Sequence, residues 1–309
     1  MSALVKSKVV KERGGSKRVS LKSSPKTFKE KREQGLIIKT IFFPTDFTEQ
    51  NVSLLPLVVD LCRKLEAELI LFHAFKVAVV DEYMPASMID DMIVEGERQS
   101  LDRLKKLVDS SWEISVSYNV KMGFTAESIS EAAVESGADI IIMGTNGCNS
   151  LEDRVFGTVS WNTIKHAEIP VLTLPEGVKE LKFDQIIFPF ECTDKDIDII
   201  HFALKLSAIF KSTIHLIHFL LEGAVLNKTI IDKINAKFHK EIQEERLQIQ
   251  ILADKNITTG IEKYAERIGA DTIVMVTHSR GLMATLFHMS TTRKIALYNN
   301  IPLFAFKAD

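Results

Sequence analysis

Cysteine is scarce in this chain. Cys62, Cys148 and Cys192 are its only three among 309 residues, they lie far apart, and no CxxC spacing occurs. Neither a zinc site nor a disulfide framework is therefore suggested, and a reducing compartment fits best. Long apolar stretches are missing too. No run of 18 apolar residues appears, and the N-terminus has no apolar signal core. Both absences argue against secretion and against a membrane span, and for a cytoplasmic protein; an organelle transit peptide is the minor alternative. Finally, the chain has no G-x-S-x-G, no Walker lysine loop and no HExxH. With no nucleophile and base recognisable together, no enzymatic activity is expected.

The small formal net charge of -2 hides an asymmetry. Residues 1–35 hold eleven Lys/Arg against three Glu, while the remainder holds 28 basic and 38 acidic residues. Residues 1–36 therefore read as a disordered basic tail without periodic hydrophobics. It is either a solvated leader or an electrostatic tether to nucleic acid, anionic lipid or an acidic protein. The acidic remainder carries no general nucleic-acid footprint.

A rhythm begins after the tail. Ile37–Pro44 is an apolar run ended by proline, a buried strand. Helical spacing follows over Asn51–Leu65, then a strand at Leu69–Phe75 and a long amphipathic helix at Met88–Val108. Ile114–Val120, Ala138–Met143 and Val171–Leu174 read as further strands, and Ala126–Val134 and Thr158–His166 as helices. Alternating strands and helices mean a parallel α/β sheet. The second half repeats the first: Phe183–Pro189 answers Lys39–Pro44, Thr213–His218 answers Leu69–His73, and Ala270–Met275 answers Ala138–Met143. The offset is 145 residues early and 132 late, so the first copy holds thirteen extra residues, expected in Lys76–Ser87. Such a period means two copies of a whole domain.

Two strand ends carry suitable chemistry for a ligand, and ligands of open parallel sheets bind beyond the carboxyl ends of strands. Pro44-Thr45-Asp46 follows the first strand, with a carboxylate able to accept from a base amine or a sugar hydroxyl. Gly144, Gly147 and Gly157 follow the fourth strand in the spacing G-x2-G-x9-G-T, and Gly157-Thr158 opens a helix whose free N–H groups favour phosphate. The alternative is that the glycines only turn the chain and Thr158 only caps the helix. In the second copy the glycine places hold Val276, Ser279 and Met289, Asp46 becomes Glu191, and Thr158 becomes Ser290. A β-branched residue and a methionine there would obstruct phosphate, so no nucleotide is expected in that copy.

PTDFT at Pro44–Thr48, the strand ending Phe72-His73, ADIIIMGTNG at Ala138–Gly147, FGTVS at Phe156–Ser160 and IPVLTLP at Ile169–Pro175 together resemble the universal stress protein family. The resemblance covers 37–175 as one domain with an intact nucleotide loop and 183–307 as a second with a degenerate one. It implies two tandem doubly wound five-stranded parallel sheets of order 3-2-1-4-5, of the adenine nucleotide alpha-hydrolase type, with the last strand used in domain pairing and a homodimer also possible. It implies ATP in domain one, with adenine and ribose near Pro44, Thr45, Asp46 and Ala74. Phosphates would lie on Met143, Gly144, Asn146, Gly147, Gly157, Thr158 and Val159, and Mg²⁺ or Mn²⁺ on the phosphates. The function implied is ATP-responsive stress regulation, with domain two as structural partner. A nucleotide-independent interaction scaffold using sheet edges and the basic tail is the alternative, and a slow ATPase a third.

The chain departs from the family pattern in places. Cys148 stands where members often have a basic residue, and Asn146 where they often have His. The loop thus lacks one phosphate counter-charge, which Arg154 would have to replace. Gly123 lacks the proline that usually follows it two residues on. Elsewhere, His215 and His218 fall on opposite faces of a strand and cannot share a metal. Asp90, Asp91 and Glu95 read as a solvated helix face, Trp112 and Trp161 as packing, and Cys148 as a small inert residue or a redox-active thiol.

Overall fold

The structure, a computed structural model, describes residues 8–11, 38–77, 85–123, 125–145, 158–220, 225–253, 257–277 and 301–307. The chain divides into two compact units, which among these residues meet at the bond between Val171 and Leu172.

Unit 1 is built on strands β1 (Lys8–Lys11), β2 (Thr40–Pro44), β3 (Glu68–Phe75), β4 (Val116–Met122) and β5 (Ile140–Gly144). Their order is β1-β4-β3-β2-β5, parallel except for β1. The strand cores are apolar on both faces, as a sheet covered by helices requires. Phe42, Phe72, Leu69 and Ile141 have no exposed surface, and the Phe42 and Phe72 rings lie 5.0 Å apart. Burying each such side chain contributes roughly 1.5–3 kcal/mol.

The helices of unit 1 are α1 (Glu49–Val52), α2 (Leu55–Leu65), α3 (Ala86–Lys106), α4 (Thr125–Glu135) and α5 (Thr158–His166). In α2 the buried stripe Leu55, Val58, Val59, Cys62 and Leu65 sets the face against the sheet, and Glu66 in the left-handed region ends the helix. Burial also pushes the Cys62 thiol up to about 12, which leaves it inert. Strand β6 (Val171–Leu174) spans the boundary of the two units; just before it, Pro170 O accepts from Ile141 N at 2.9 Å, which brings the chain alongside β5.

Unit 2 contains β7 (Gln185–Pro189), α6 (Asp194–Phe210), β8 (Thr213–Phe219), α7 (Lys228–Lys237), α8 (His239–Gln243), β9 (Leu247–Leu252), α9 (Ile257–Ile268), β10 (Thr272–Thr277) and β11 (Leu303–Lys307). The order β9-β8-β7-β10-β11, all parallel, is the expected 3-2-1-4-5, and β4-β3-β2-β5 repeats its first four places. No helix among the described residues is long and apolar enough to cross a membrane.

Two features differ from the sequence reading. Lys8–Lys11, inside the segment read as a disordered tail, forms an antiparallel edge strand on β4; the rest of residues 1–36 lies outside the described residues. Four residues need little hydrophobic periodicity to add to an existing edge, because the backbone supplies the bonds. The thirteen extra residues do lie between the second and third strands, but they are not concentrated in Lys76–Ser87. They divide between the helix, where α3 runs unbroken for 21 residues, and the connection after it, which carries a short 3-10 turn at Ser110–Trp112. In unit 2 the corresponding stretch is split into α7 and α8 at Phe238, which is 3% exposed and anchors the break in the core.

Both units share a device at the amino ends of their strands. A glycine in the left-handed region, Gly137 or Gly269, closes a helix, and an aspartate follows two residues later. Asp139 Oδ2 accepts from Lys39 N at 2.7 Å and Thr40 N at 2.9 Å. Asp271 Oδ2 accepts from Asp184 N at 2.8 Å and Gln185 N at 3.0 Å. Asp139 thus ties the start of β2 to the head of β5, and Asp271 the start of β7 to the head of β10. Asp139→Ala leaves two amides without their acceptor and is predicted to lower unfolding stability by about 2 kcal/mol, with Asp139→Asn costing less. Urea denaturation checks this, and an unchanged midpoint for the alanine variant would refute it.

Candidate functional site

The carboxyl ends of β3, β2 and β5 lie side by side, with β3 and β5 on opposite sides of β2. Chain direction across the sheet reverses between β2 and β5, the place where open α/β sheets leave a crevice.

On the β2 side, Pro44 closes the strand and its carbonyl accepts from Asn51 Nδ2 at 3.4 Å. Thr45 is buried; its N–H donates to Phe72 O, and its hydroxyl accepts from Phe47 N at 3.0 Å. This turn holds Phe47 at a φ of 63°. Asp46 is exposed, and its Oδ1 accepts from the amide and the hydroxyl of Thr48 at 3.0 and 2.7 Å. Thr48 in turn caps α1. The Asp46 carboxylate is thus oriented by its own turn at the rim of the sheet.

His73 joins the β3 end to this turn. Its Nδ1 lies 2.7 Å from the Thr45 carbonyl, so Nδ1 carries the proton and Nε2 is the free lone pair of the neutral ring. The Phe47 ring sits 4.5 Å from the imidazole, and the Arg103 guanidinium from α3 lies 3.8 Å from the centre of the same phenyl. Burial lowers the His73 pKa first of all; the Thr45 carbonyl opposes this, Arg103 adds to the lowering and Asp46 opposes it. Ala74, next along β3, is half-buried and pairs with Lys121 of β4.

On the β5 side, Met143 is buried and Gly144 ends the strand, its carbonyl accepting from Ser160 Oγ at 2.8 Å. That bond fixes the first turn of α5 against the strand end. Thr145 is 2% exposed and its hydroxyl has no hydrogen-bond partner among the described residues. Thr158 and Val159, in the first turn of α5, line a cleft of about 550 Å³ together with Lys76, Ala126, Glu127, Asn162 and His166. Asn146, Gly147 and Gly157, and with them Cys148 and Arg154, lie outside the described residues.

Pro44, Thr45, Asp46 and Ala74 therefore gather at one pair of strand ends, and Met143, Gly144, Thr158 and Val159 at the neighbouring one. Sequence reasoning missed Lys76, Asn162, His166 and Arg103. Two signals were available. Lys76 follows Ala74 by two residues, directly past a strand end, and Thr158, Asn162 and His166 recur every fourth residue on one face of α5. The residues present fit a phosphorylated ligand: a helix amino terminus, a lysine and an unpartnered buried hydroxyl stand in this region.

Unit 2 keeps the frame and changes its lining. His218 Nδ1 lies 3.1 Å from Phe190 O, as His73 does from Thr45 O, and Cys192 has a φ of 64° where Phe47 has 63°. Where unit 1 has the Thr45 hydroxyl, unit 2 has the Phe190 ring, 1% exposed and 5.5 Å from His218. Cys192 is buried and its thiol donates to Asn227 O at 3.4 Å. Val276 lies in β10, while Ser279, Met289 and Ser290 fall outside the described residues.

The His73 environment predicts a titration midpoint below the ordinary 6.5 and the Nδ1–H tautomer at neutral pH. Because the folded value is the lower one, its contribution to stability is complete above pH 6.5 and declines as pH falls toward the folded midpoint. Arg103→Gln should move that midpoint upward. Imidazole NMR titration of both proteins is the measurement, and a midpoint at or above 6.5 in the parent chain contradicts the geometry.

The doubly wound topology and the paired strand ends now stand beside relatives. The family model described as "Universal stress protein family" matches residues 38–175 and again 182–307. A universal stress protein of Methanocaldococcus jannaschii is 28% identical over 150 residues, covering 47% of this chain and 86% of that protein. The universal stress protein YxiE of Bacillus subtilis is 26% identical over 136 residues, covering 41% of this chain and 92% of its own. Among solved structures, a universal stress protein from Archaeoglobus fulgidus superposes with a TM-score of 0.62 at 18% identity, over 87% of this chain and 96% of that one, a likeness of fold. With both halves matched by the one model, the chain belongs to the universal stress protein family, in tandem form.

Proposed function

We propose that unit 1 binds ATP, with Mg²⁺ or Mn²⁺ carried by the phosphates, and that unit 2 is a structural partner binding no nucleotide. The observation that carries this reading is the cleft in which the first turn of α5, through Thr158 and Val159, meets Lys76. Helix N–H groups and an ammonium are the two chemistries that hold phosphate oxygens, and Lys76 supplies a positive charge where the loop carries Cys148. Asp46 at the neighbouring strand end suits a ribose hydroxyl or a base amine. Phe190 in place of Thr45 supports the silence of unit 2.

In this reading the nucleotide is a signal. Its binding alters a docking surface of a stress-response protein. Turnover is not part of the proposal. A cytoplasmic setting goes with it, since Cys62 and Cys192 are free thiols. One observation favours the second reading, a nucleotide-independent scaffold: the Glu127 carboxylate lines the same cleft and opposes an anion.

Calorimetric titration of ATP-Mg into the whole chain decides between them. The expected result is saturable binding near one site per chain, lost in Gly157→Met. Lys76→Ala should bind about tenfold more weakly, equivalent to about 1.4 kcal/mol. Absence of heat and of any thermal shift at millimolar ATP would sink the nucleotide reading and leave the scaffold.

A further inference from the structure

The third strands of the two sheets, β4 and β9, are equivalent edges with unequal cover. The registers Leu69↔Val116 and Ile214↔Leu247 match Ser117, Tyr118, Asn119 and Val120 to Gln248, Ile249, Gln250 and Ile251. In unit 1 those four residues pair with β1 and are 1%, 5%, 0% and 5% exposed. In unit 2 Gln248, Ile249 and Gln250 are only half-buried and Ile251 is 40% exposed. No strand pairs with the outer side of β9 among the described residues.

The hydrogen-bonding parity of that edge is fixed. Arg246 O accepts from Ile214 N and Leu252 O from Leu220 N, both from the β8 side. With the two-residue period of a strand, even-numbered groups of β9 serve β8, and the amides and carbonyls of Leu247, Ile249 and Ile251 face outward. Tyr118 and Val120 of β4, the counterparts of Ile249 and Ile251, are the positions set opposite Val10 and Lys8. A ready template for an antiparallel strand is thus present in both units and, among the described residues, used in one.

The open edge carries none of the usual guards. Leu-Gln-Ile-Gln-Ile-Leu has no lysine, no proline and no charge of either sign. It is also matched to itself. Turned about Ile249, an antiparallel pair of β9 strands sets Leu247 against Ile251, Gln248 against Gln250 and Ile249 against Ile249. One face of the pair is then an unbroken apolar stripe, and the other carries facing glutamine amides able to bond each other. Neutrality removes the like-charge repulsion that a homotypic pair otherwise suffers. We infer that β9 is a homodimerisation edge, and that two copies of this chain join through antiparallel β9–β9 pairing centred on Ile249. The inference is independent of nucleotide binding.

Sedimentation equilibrium on the full chain tests it, alongside Ile251→Lys. That residue is exposed enough for lysine to be tolerated in the monomer, but in the pair it would meet Leu247 of the second copy. The parent chain is expected to dimerise, and the variant to dissociate at least tenfold more readily at an unchanged melting temperature. A register test follows in a Cys148→Ser background: Ile249→Cys should oxidise to a covalent dimer across the two-fold axis, while Ile251→Cys, facing Leu247, should not. A monomeric parent chain overturns the inference, and so does a dimer that survives Ile251→Lys or a crosslink at 251 without one at 249.

Discussion

The architecture of each unit hangs on one carboxylate, buried at Asp139 and half-buried at Asp271. Asp139 receives two backbone amides from the start of β2 while standing at the head of β5, and Asp271 two from the start of β7 at the head of β10. The helix before each is closed by a left-handed glycine, so the chain reverses and delivers the aspartate directly to those amides. For Asp271, burial raises the carboxyl pKa first and the Gln185 and Asp184 amides pull it down, so the amides are what make the buried charge tolerable. Fixing these strands at their amino ends sets the register at which they finish. The row formed by Pro44, Thr45, Asp46, Met143 and Gly144 is the far-end result of that near-end tie.

Much of this was legible in the sequence because buried parallel strands have nowhere to hide. Strands apolar on both faces read as unbroken runs, and β2, β5, β7 and β10 fall within or beside the runs ending at Pro44, Met143, Pro189 and Met275. Helix α5 also matched its reading, from Thr158 to His166. What escaped was structure made by partners. Lys8–Lys11 is a strand only because β4 offers an edge, and the division between α7 and α8 depends on where Phe238 finds the core. The site divides the same way. Pro44, Thr45 and Asp46 announce themselves by following a strand, whereas Arg103 reaches Phe47 from a helix more than fifty residues later in the chain, a proximity that no local pattern encodes. Asn146, Gly147 and Gly157 rest on their spacing, since they fall outside the described residues.

Comparing the two copies separates what the backbone demands from what a ligand would demand. The imidazole-to-carbonyl contact and the left-handed residue at the end of the first strand occur in both units, with Phe47 and Cys192 as unlike as two side chains can be at that place. These belong to the turn itself. The lining differs: a hydroxyl at Thr45 and a phenyl at Phe190, spaced glycines in one loop sequence and none of them in the other. The edges follow the same logic, with one pleated frame and two different treatments of its rim.

The Phe190 ring has a consequence for how the two halves respond to their surroundings. A phenyl packed at that strand end is always present, so what it contributes to the stability of that half is set by the sequence and is indifferent to solute concentration. A half with an open cleft gains stability with the logarithm of whatever occupies it. An open cleft and a packed phenyl at equivalent strand ends thus make two different kinds of stability, one adjustable by solutes and one written in the sequence.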